Sequence, residues 1–283
     1  MLKILIATDF SAGARAAGRR AARLAAASGG EIVALHVFDP QVFEHTTDEI
    51  VAEERNSAQL LLDELCGELN RGGTRATGML VDRERHPDEI IVDVAESEAA
   101  GLVVLGSTGR TGMERLFVGS IAERVVQSCG VPVLIARGEA DGDFTRILCA
   151  TDFSEHADRA LTTAFELAAP GATIDVLYAI EPSIYATPDP RVVPGPSQAA
   201  SIEADVRRRG AELIARPWPD RAKLTFAHEV GRARSVILDR LEGDRYDLVT
   251  LGSHGRRGLR RFFLGSVAES VVRHAPCSVL VAR

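Results

Sequence analysis

The chain carries one pattern twice, and this repeat constrains its fold more than any other feature. KILIATDFS at residues 3–11 returns as RILCATDFS at 146–154, and ALHV at 34–37 returns as VLYA at 176–179. Residues 106–137 align with 252–283 without a gap, identical at 17 of 32 positions. The offset drifts from 143 to 142 to 146, as small insertions in loops produce. A self-similarity of this length marks a duplicated domain. The copies fall at 1–138 and 144–283, with the polar stretch Gly-Glu-Ala-Asp-Gly-Asp at 138–143 joining them, and 283 residues is the length of two ordinary domains.

Each copy alternates short apolar runs with stretches of helical period. In the first, Ile4–Ala7, Glu31–Phe38, Arg75–Val81, Leu102–Leu105 and Val131–Ala136 read as strands. An Ala-rich helix follows the first strand, with Ser11 as its N-cap and Gly29-Gly30 as its end. A helix over Asp48–Asn70 puts Leu61, Leu62, Leu65 and Leu69 on one face, and another opens at Pro87 with Ile90, Ile91 and Val94 inward. Five strands separated by helices predict an α/β domain, a parallel sheet covered on both faces. The second copy repeats the order. Its segment 181–200 holds Pro182, Pro188, Pro190, Pro194 and Pro196, so an extended or mobile loop is expected there.

Composition narrows the chemistry. A formal charge of −7 argues against a generic grip on nucleic acid or an anionic membrane. Only Lys3 and Lys223 are lysines, so a mechanism needing lysine at a phosphate or in a Schiff base has almost nowhere to sit. Cys66, Cys129, Cys149 and Cys277 form no CxxC pair and no metal-ligand spacing. Cys149, inside the apolar run Arg-Ile-Leu-Cys-Ala, reads as a small buried residue. The opening MLKILIATDF meets Asp9 after too short an apolar stretch for a signal peptide, and no run approaches the roughly 20 apolar residues of a membrane span. A cytoplasmic, reduced, soluble protein is the expectation.

Both copies carry Gly-x2-Gly-x9-Gly-Ser directly after a strand: Gly106, Gly109, Gly119, Ser120 and Gly252, Gly255, Gly265, Ser266. At this chain's glycine frequency a single match arises by chance in roughly 2% of such chains. Glycines let main-chain N–H groups approach an anion, and the helix that follows adds the partial positive charge of its N-terminus. Ser120 and Ser266 can donate to a phosphate while capping that helix. Arg110 and Arg256 are the best charged candidates for a phosphate contact. Neither loop has the lysine of a Walker A motif or the spacing of GxGxxG. Asp9 and Asp152 end the first strand of each copy, where a carboxylate can accept from ribose hydroxyls or help hold a divalent metal.

These residues resemble the universal stress protein family, through the ATDFS start, the G-2x-G-9x-G(S/T) loop, the GSVAE-like helix opening and the closing VLIAR and VLVAR strands. The resemblance covers the whole chain and implies two tandem Rossmann-like domains of the adenine nucleotide alpha hydrolase type. It implies ATP, with Mg²⁺, as ligand. Adenine would lie against the first two strands, near main-chain groups of Val37 and Ala179, and phosphates on the glycine loops. Asp9 and Asp152 would contact ribose or metal, with Thr8 and Thr151 also among the nucleotide-binding residues. The family also implies that Val131–Ala136 and Cys277–Ala282 pair the halves into an internal pseudo-dimer, and that two chains can associate. The chain departs from the family's Gly-x-Pro before the third helix, reading Asp-Arg-Glu-Arg-His-Pro at 82–87 and Gly-Arg-Ala-Arg at 231–234.

Other residues have plainer readings. Asp9 and Asp152 could cap the following helices, although Ser11 and Ser154 can do so instead. Arg115 and Arg261 suit surface ion pairs, and His36 suits a satisfied core or rim position. His254 lies in the second loop where the first has Thr108, and His45 is a loop histidine able to bind metal. No catalytic constellation emerges: HEVGR at 228–232 is not HExxH, and there is no GxSxG. The expectation is an ATP-responsive regulator of stress survival with at most slow turnover. Its rivals are a slow ATPase or phosphotransferase, a module for another ligand, and a scaffold with a vestigial nucleotide site.

Overall fold

The structure, a computed structural model, describes residues 2–43, 46–107, 118–138, 142–181, 196–254 and 264–283. It divides between Gly142 and Asp143 into two compact units. In the first, the elements are β1 (Lys3–Ala7), α1 (Ala12–Ser28), β2 (Glu31–Phe38), α2 (Asp48–Arg71), β3 (Arg75–Asp82), α3 (Pro87–Ser97), β4 (Leu102–Gly106), α4 (Ser120–Ser128) and β5 (Val133–Ala136). The strands lie in the order β3-β2-β1-β4-β5, all parallel. Right-handed crossovers then put α1 and α2 on one face and α3 and α4 on the other, and each pair packs together. A sheet covered on both faces needs strands apolar at consecutive positions. Ile4, Leu5 and Ile6 in β1 and Leu102, Val103 and Val104 in β4 are accordingly buried in succession.

The second unit repeats the plan with β6 (Phe144–Thr151), α5 (Glu155–Leu167), β7 (Ala168–Ile180), α6 (Pro196–Ile214), β8 (Ala222–Val230), α7 (Ala233–Gly243), β9 (Leu248–Gly252), α8 (Ser266–His274) and β10 (Ser278–Ala282). Its order is β8-β7-β6-β9-β10, again parallel throughout. Each unit is thus a five-stranded Rossmann-like α/β domain.

The helices after the first strands start where local chemistry allows. Ser11 and Ser154 accept from the N–H groups of Ala14 and Ala157, at 3.2 and 3.3 Å, and so cap α1 and α5. Gly29, at φ 63°, ends α1 in the left-handed conformation that glycine adopts without strain. We expect Ser11→Ala and Ser154→Ala each to cost about 1 kcal/mol, read from the urea midpoint of unfolding.

Several boundaries differ from the sequence reading. The strand expected from Val131 begins at Val133, because Pro132 has no N–H to give the ladder. On α2, Leu61 is only half-buried and Cys66 joins Leu62, Leu65 and Leu69 beneath the helix; on α3, Ala95 rather than Val94 is buried. The expected loop 181–200 is helical from Pro196 onward. Proline is well tolerated at a first helical position, where its missing N–H would have had no partner. Residues 182–195 lie outside the described residues, as do Arg115, Arg261 and His45.

Candidate functional site

In both units the strand order reverses at the first strand: β1 lies between β2 and β4, and β6 between β7 and β9. In open parallel sheets the crevice beyond the carboxyl ends of the strands at such a reversal is where ligands bind. A cavity of about 370 Å³ opens there in the first unit, large enough for a small organic ligand. Thr8 and Asp9 line it from the turn after β1, Val37 from β2, Gly106 from the end of β4, and Gly119 and Ser120 from the start of α4. Six candidate residues separated by up to 112 positions therefore meet in one crevice.

The turn after β1 is tightly specified. Phe10 N–H donates to Thr8 Oγ1 and Ser11 N–H to Asp9 Oδ1, both at 3.0 Å. These bonds hold Phe10 at φ 62°, a left-handed conformation that costs a non-glycine residue roughly 1–2 kcal/mol. The second unit repeats this in detail: Phe153 N–H donates to Thr151 Oγ1 at 2.9 Å, Ser154 N–H to Asp152 Oδ1 at 3.0 Å, and Phe153 sits at φ 59°. The cap of each helix is the serine, so the aspartate serves the turn instead.

The glycines divide by physical role. A Cβ on Gly106 would lie 2.8 Å from the main-chain carbon and oxygen of Gly13, and one on Gly252 would lie 2.8 Å from His156 Cβ and 2.9 Å from Ala157 N. Both glycines let the helix after the first strand approach the sheet. Gly119 is different. Its backbone is ordinary, at φ −62° and ψ 146°, and an added Cβ would meet nothing within 4 Å among the described residues. Gly265 has the same backbone, with Ser253 O at 3.3 Å from an added Cβ.

The two serines do not cap their helices, contrary to expectation. Gly119 and Gly265 are the N-caps, and Ser120 and Ser266 are the first helical residues, both exposed. The first bond within α4 runs from Glu123 N–H to Gly119 O at 3.0 Å, and within α8 from Glu269 N–H to Gly265 O at 2.9 Å. The amides of Ser120, Ile121 and Ala122 in α4 and of Ser266, Val267 and Ala268 in α8 thus have no acceptor inside their helices. Such amides, with the helix dipole behind them, favour an anion. Ala179 lies near the end of β7 opposite Glu229, as Val37 lies near the end of β2 opposite Val81. Gly109, Arg110, Gly255 and Arg256 lie outside the described residues.

Other lining residues escaped the sequence reading. Pro87 and Ile91 of α3, Leu105 of β4 and Ile121 of α4 form an apolar wall; at helical or strand spacing they look like core. His36 is buried and bonded, its Nδ1 2.7 Å from Thr8 O, yet it also lines the cavity. Where the family's Gly-x-Pro is missing, Arg83 pairs with Asp39 and Arg85 with Asp93.

A parallel sheet with a partly apolar crevice at its reversal point, ending on a helix N-terminus, defines a Rossmann-like α/β protein with a candidate ligand site there. The match to known proteins is more specific. The profile of the universal stress protein family fits residues 1–137 and again 143–283, so the chain belongs to that family. It is 34% identical over 143 residues to a universal stress protein of Methanocaldococcus jannaschii, covering 48% of this chain and 81% of that one. A universal stress protein of Mycolicibacterium smegmatis is 28% identical over 298 aligned positions, covering 99% and 96%. The crystal structure of a universal stress protein from Archaeoglobus fulgidus superposes with a TM-score of 0.74 at 22% identity, covering 99% and 98%, and supports the tandem fold. Among the described residues, no helix is long and apolar enough to cross a membrane.

Proposed function

We propose that this universal stress protein binds ATP with Mg²⁺ in the first-unit crevice and at its counterpart in the second unit. It then acts in the cytoplasm as a nucleotide-responsive regulator of stress survival, not as a catalyst. Gly119 carries this reading. Among the described residues neither backbone conformation nor packing calls for glycine there, and the space a side chain would take opens on the cavity, beside three amides that have no acceptor inside their helix. A phosphate group fits that space and that charge. Val37 and Asp9 line the same cavity, and in this reading Val37 meets the base and Asp9 the sugar.

Among the described residues no group of three or more His, Cys, Asp or Glu side chains is placed to hold a metal. Mg²⁺ therefore arrives on the nucleotide phosphates, with Asp9 or Asp152 as a protein ligand, as is usual for this ion. Asp9 is the sole carboxylate lining the cavity among the described residues, and its Oδ1 already accepts from Ser11 N–H. Turnover should accordingly be slow.

The test is calorimetric titration of ATP, with and without Mg²⁺, into the wild type and into folded Gly119→Glu and Gly265→Glu proteins. A glutamate at either place brings bulk and negative charge to the proposed phosphate position. Two ATP per wild-type chain, and one lost in each variant, is the expected result. Loss in one variant only assigns the other unit to a different ligand. No binding to folded wild type rejects the proposal.

A further inference from the structure

The first-unit ladder between β1 and β2 runs from Lys3↔Glu31 to Ala7↔Leu35, and Thr8 N–H closes it on Leu35 O at 2.9 Å. On the other edge of β2, Arg83 N–H donates to Phe38 O at 2.7 Å. Main-chain groups of successive strand residues alternate between edges. Leu35 and Val37 thus face β1, and His36 and Phe38 face β3. One more rung would join Val37 N–H to the Thr8 carbonyl. That carbonyl takes His36 Nδ1 instead, at 2.7 Å. A carbonyl only accepts, so Nδ1 carries the proton. Among the described residues Val37 N–H has no main-chain acceptor, and Val37 lines the cavity beside His36.

The second unit differs at this point. Its ladder continues one rung further, to Thr151↔Tyr178, which in a parallel sheet engages the residues flanking Tyr178, namely Leu177 and Ala179. Tyr178 stands where the first unit has His36. Its ring stacks on Phe153 at 4.9 Å, and tyrosine has no donor at the place of an imidazole Nδ1. The rung that His36 intercepts is made.

We propose that His36 is a positioning residue for base selectivity. By occupying the Thr8 carbonyl it ends the ladder early and leaves Val37 N–H beside Val37 C=O, a donor next to an acceptor on the cavity edge. That pair complements an acceptor beside an amino donor, as on the N1 and N6 edge of adenine. Hypoxanthine carries N1–H beside a carbonyl, so donor meets donor and acceptor meets acceptor. The first unit therefore selects adenine nucleotides, whereas the second, with Ala179 tied into the sheet, does not discriminate at this edge. This inference rests on the nucleotide reading of the crevice.

The experiment titrates ATP and ITP, with Mg²⁺, into the Gly265→Glu protein, so that the first unit alone reports, and into the same protein with His36→Phe or His36→Asn. ATP should bind at least roughly tenfold tighter than ITP, a difference of about 1.4 kcal/mol. In His36→Phe the ratio should fall toward one. Asparagine, whose amide can donate from near the Nδ1 position, should restore it. A merely structural role would weaken both nucleotides alike. In the Gly119→Glu background, the ATP-to-ITP ratio of the second unit should be near one and should rise on Tyr178→His. ATP binding with a ratio unmoved by His36→Phe overturns the role of His36 and leaves the nucleotide reading intact. Binding of neither nucleotide overturns both. If His36→Phe does not fold, a ratio near one in the Gly265→Glu protein itself is enough to reject the inference.

Discussion

Gly252→Ala should destabilise the second unit by about 3 kcal/mol, at the upper end of the range for forcing a methyl group into a packed site. The added carbon would lie 2.8 Å from His156 Cβ and 2.9 Å from both Ala157 N and the His156 carbonyl carbon. Two of these atoms are main chain of the first turn of α5, so a rotamer change cannot make room. Relief requires α5 to move off the sheet, although Ala157, Ala160, Leu161 and Ala164 are buried beneath it. The chain's single tryptophan, Trp218, is a convenient reporter. It stacks on Phe165 of α5 with ring centroids 4.9 Å apart, and its indole N–H donates to Leu213 O at 2.8 Å. Fluorescence thus follows the unit that carries the substitution. With a slope of roughly 2 kcal/mol per molar urea, the midpoint should fall by roughly 1.5 M.

Gly119→Ala is the contrasting case, since among the described residues its Cβ meets nothing within 4 Å. The loss of stability should stay under about 1 kcal/mol, the cost of alanine at an N-cap. If Gly252→Ala moved the midpoint no more than this, the first glycine of the motif would not be a packing requirement. The motif thus contains two kinds of glycine, one that brings a helix onto the sheet and one that keeps space beside a helix N-terminus. Spacing alone does not distinguish them.

That division explains what could be read in advance. The strands were legible because burial on both faces demands runs such as Ile4–Ile6 and Leu102–Val104, and the duplication offered every element twice. Ser11 and Ser154 were legible because a cap is a local matter of three residues. The role of Ser120 was misread: a cap at Gly119 rather than Ser120 depends on how the chain enters α4, through Gly119 N–H bonding to Ser107 O at 3.0 Å. The apolar wall of Pro87, Ile91 and Ile121 was hidden because a residue lining a crevice and one filling a core share the same helical period. His36 read as a satisfied histidine, and it is one. What it satisfies is a carbonyl 28 positions away, and only the register between β1 and β2 makes them neighbours. Pro196 read as loop because proline is a breaker inside a helix, whereas here it opens one.

The second large effect is expected in alkali. Cys149 lies in β6 opposite Thr250 of β9 and is fully buried. Burial pushes its thiol from an ordinary 9.0 up to about 12, and a hydrogen bond with Thr250 pulls the other way. Below pH 9 both folded and unfolded thiols are protonated, so the full stability is present. As pH rises past 9 the unfolded thiol ionises and the folded one does not; the unfolded state then binds fewer protons, and stability falls. The loss should reach about 1 kcal/mol between pH 9 and 10 and about 4 kcal/mol by pH 12. Tyr246 in the same unit acts in the same direction. Its burial raises its pKa above 10.0, with Arg240 opposing and Asp175 reinforcing the shift, so its contribution is lost at higher pH. Cys149 therefore acts in the second unit from pH 9 upward, below the range of Tyr246, while Cys66, whose thiol burial also raises above 9.0, acts over the same interval in the first unit. Urea unfolding followed by Trp218 fluorescence at pH 8, 9 and 10 should show the decline in wild type and a flatter profile in Cys149→Ala. A profile equally steep in Cys149→Ala would place the titrating group elsewhere. The same burial leaves so little thiolate at neutral pH that Cys149 cannot serve as a nucleophile or redox sensor, although it stands only two residues before Thr151. Its place is in the strand that carries the Thr151–Asp152 turn to the crevice.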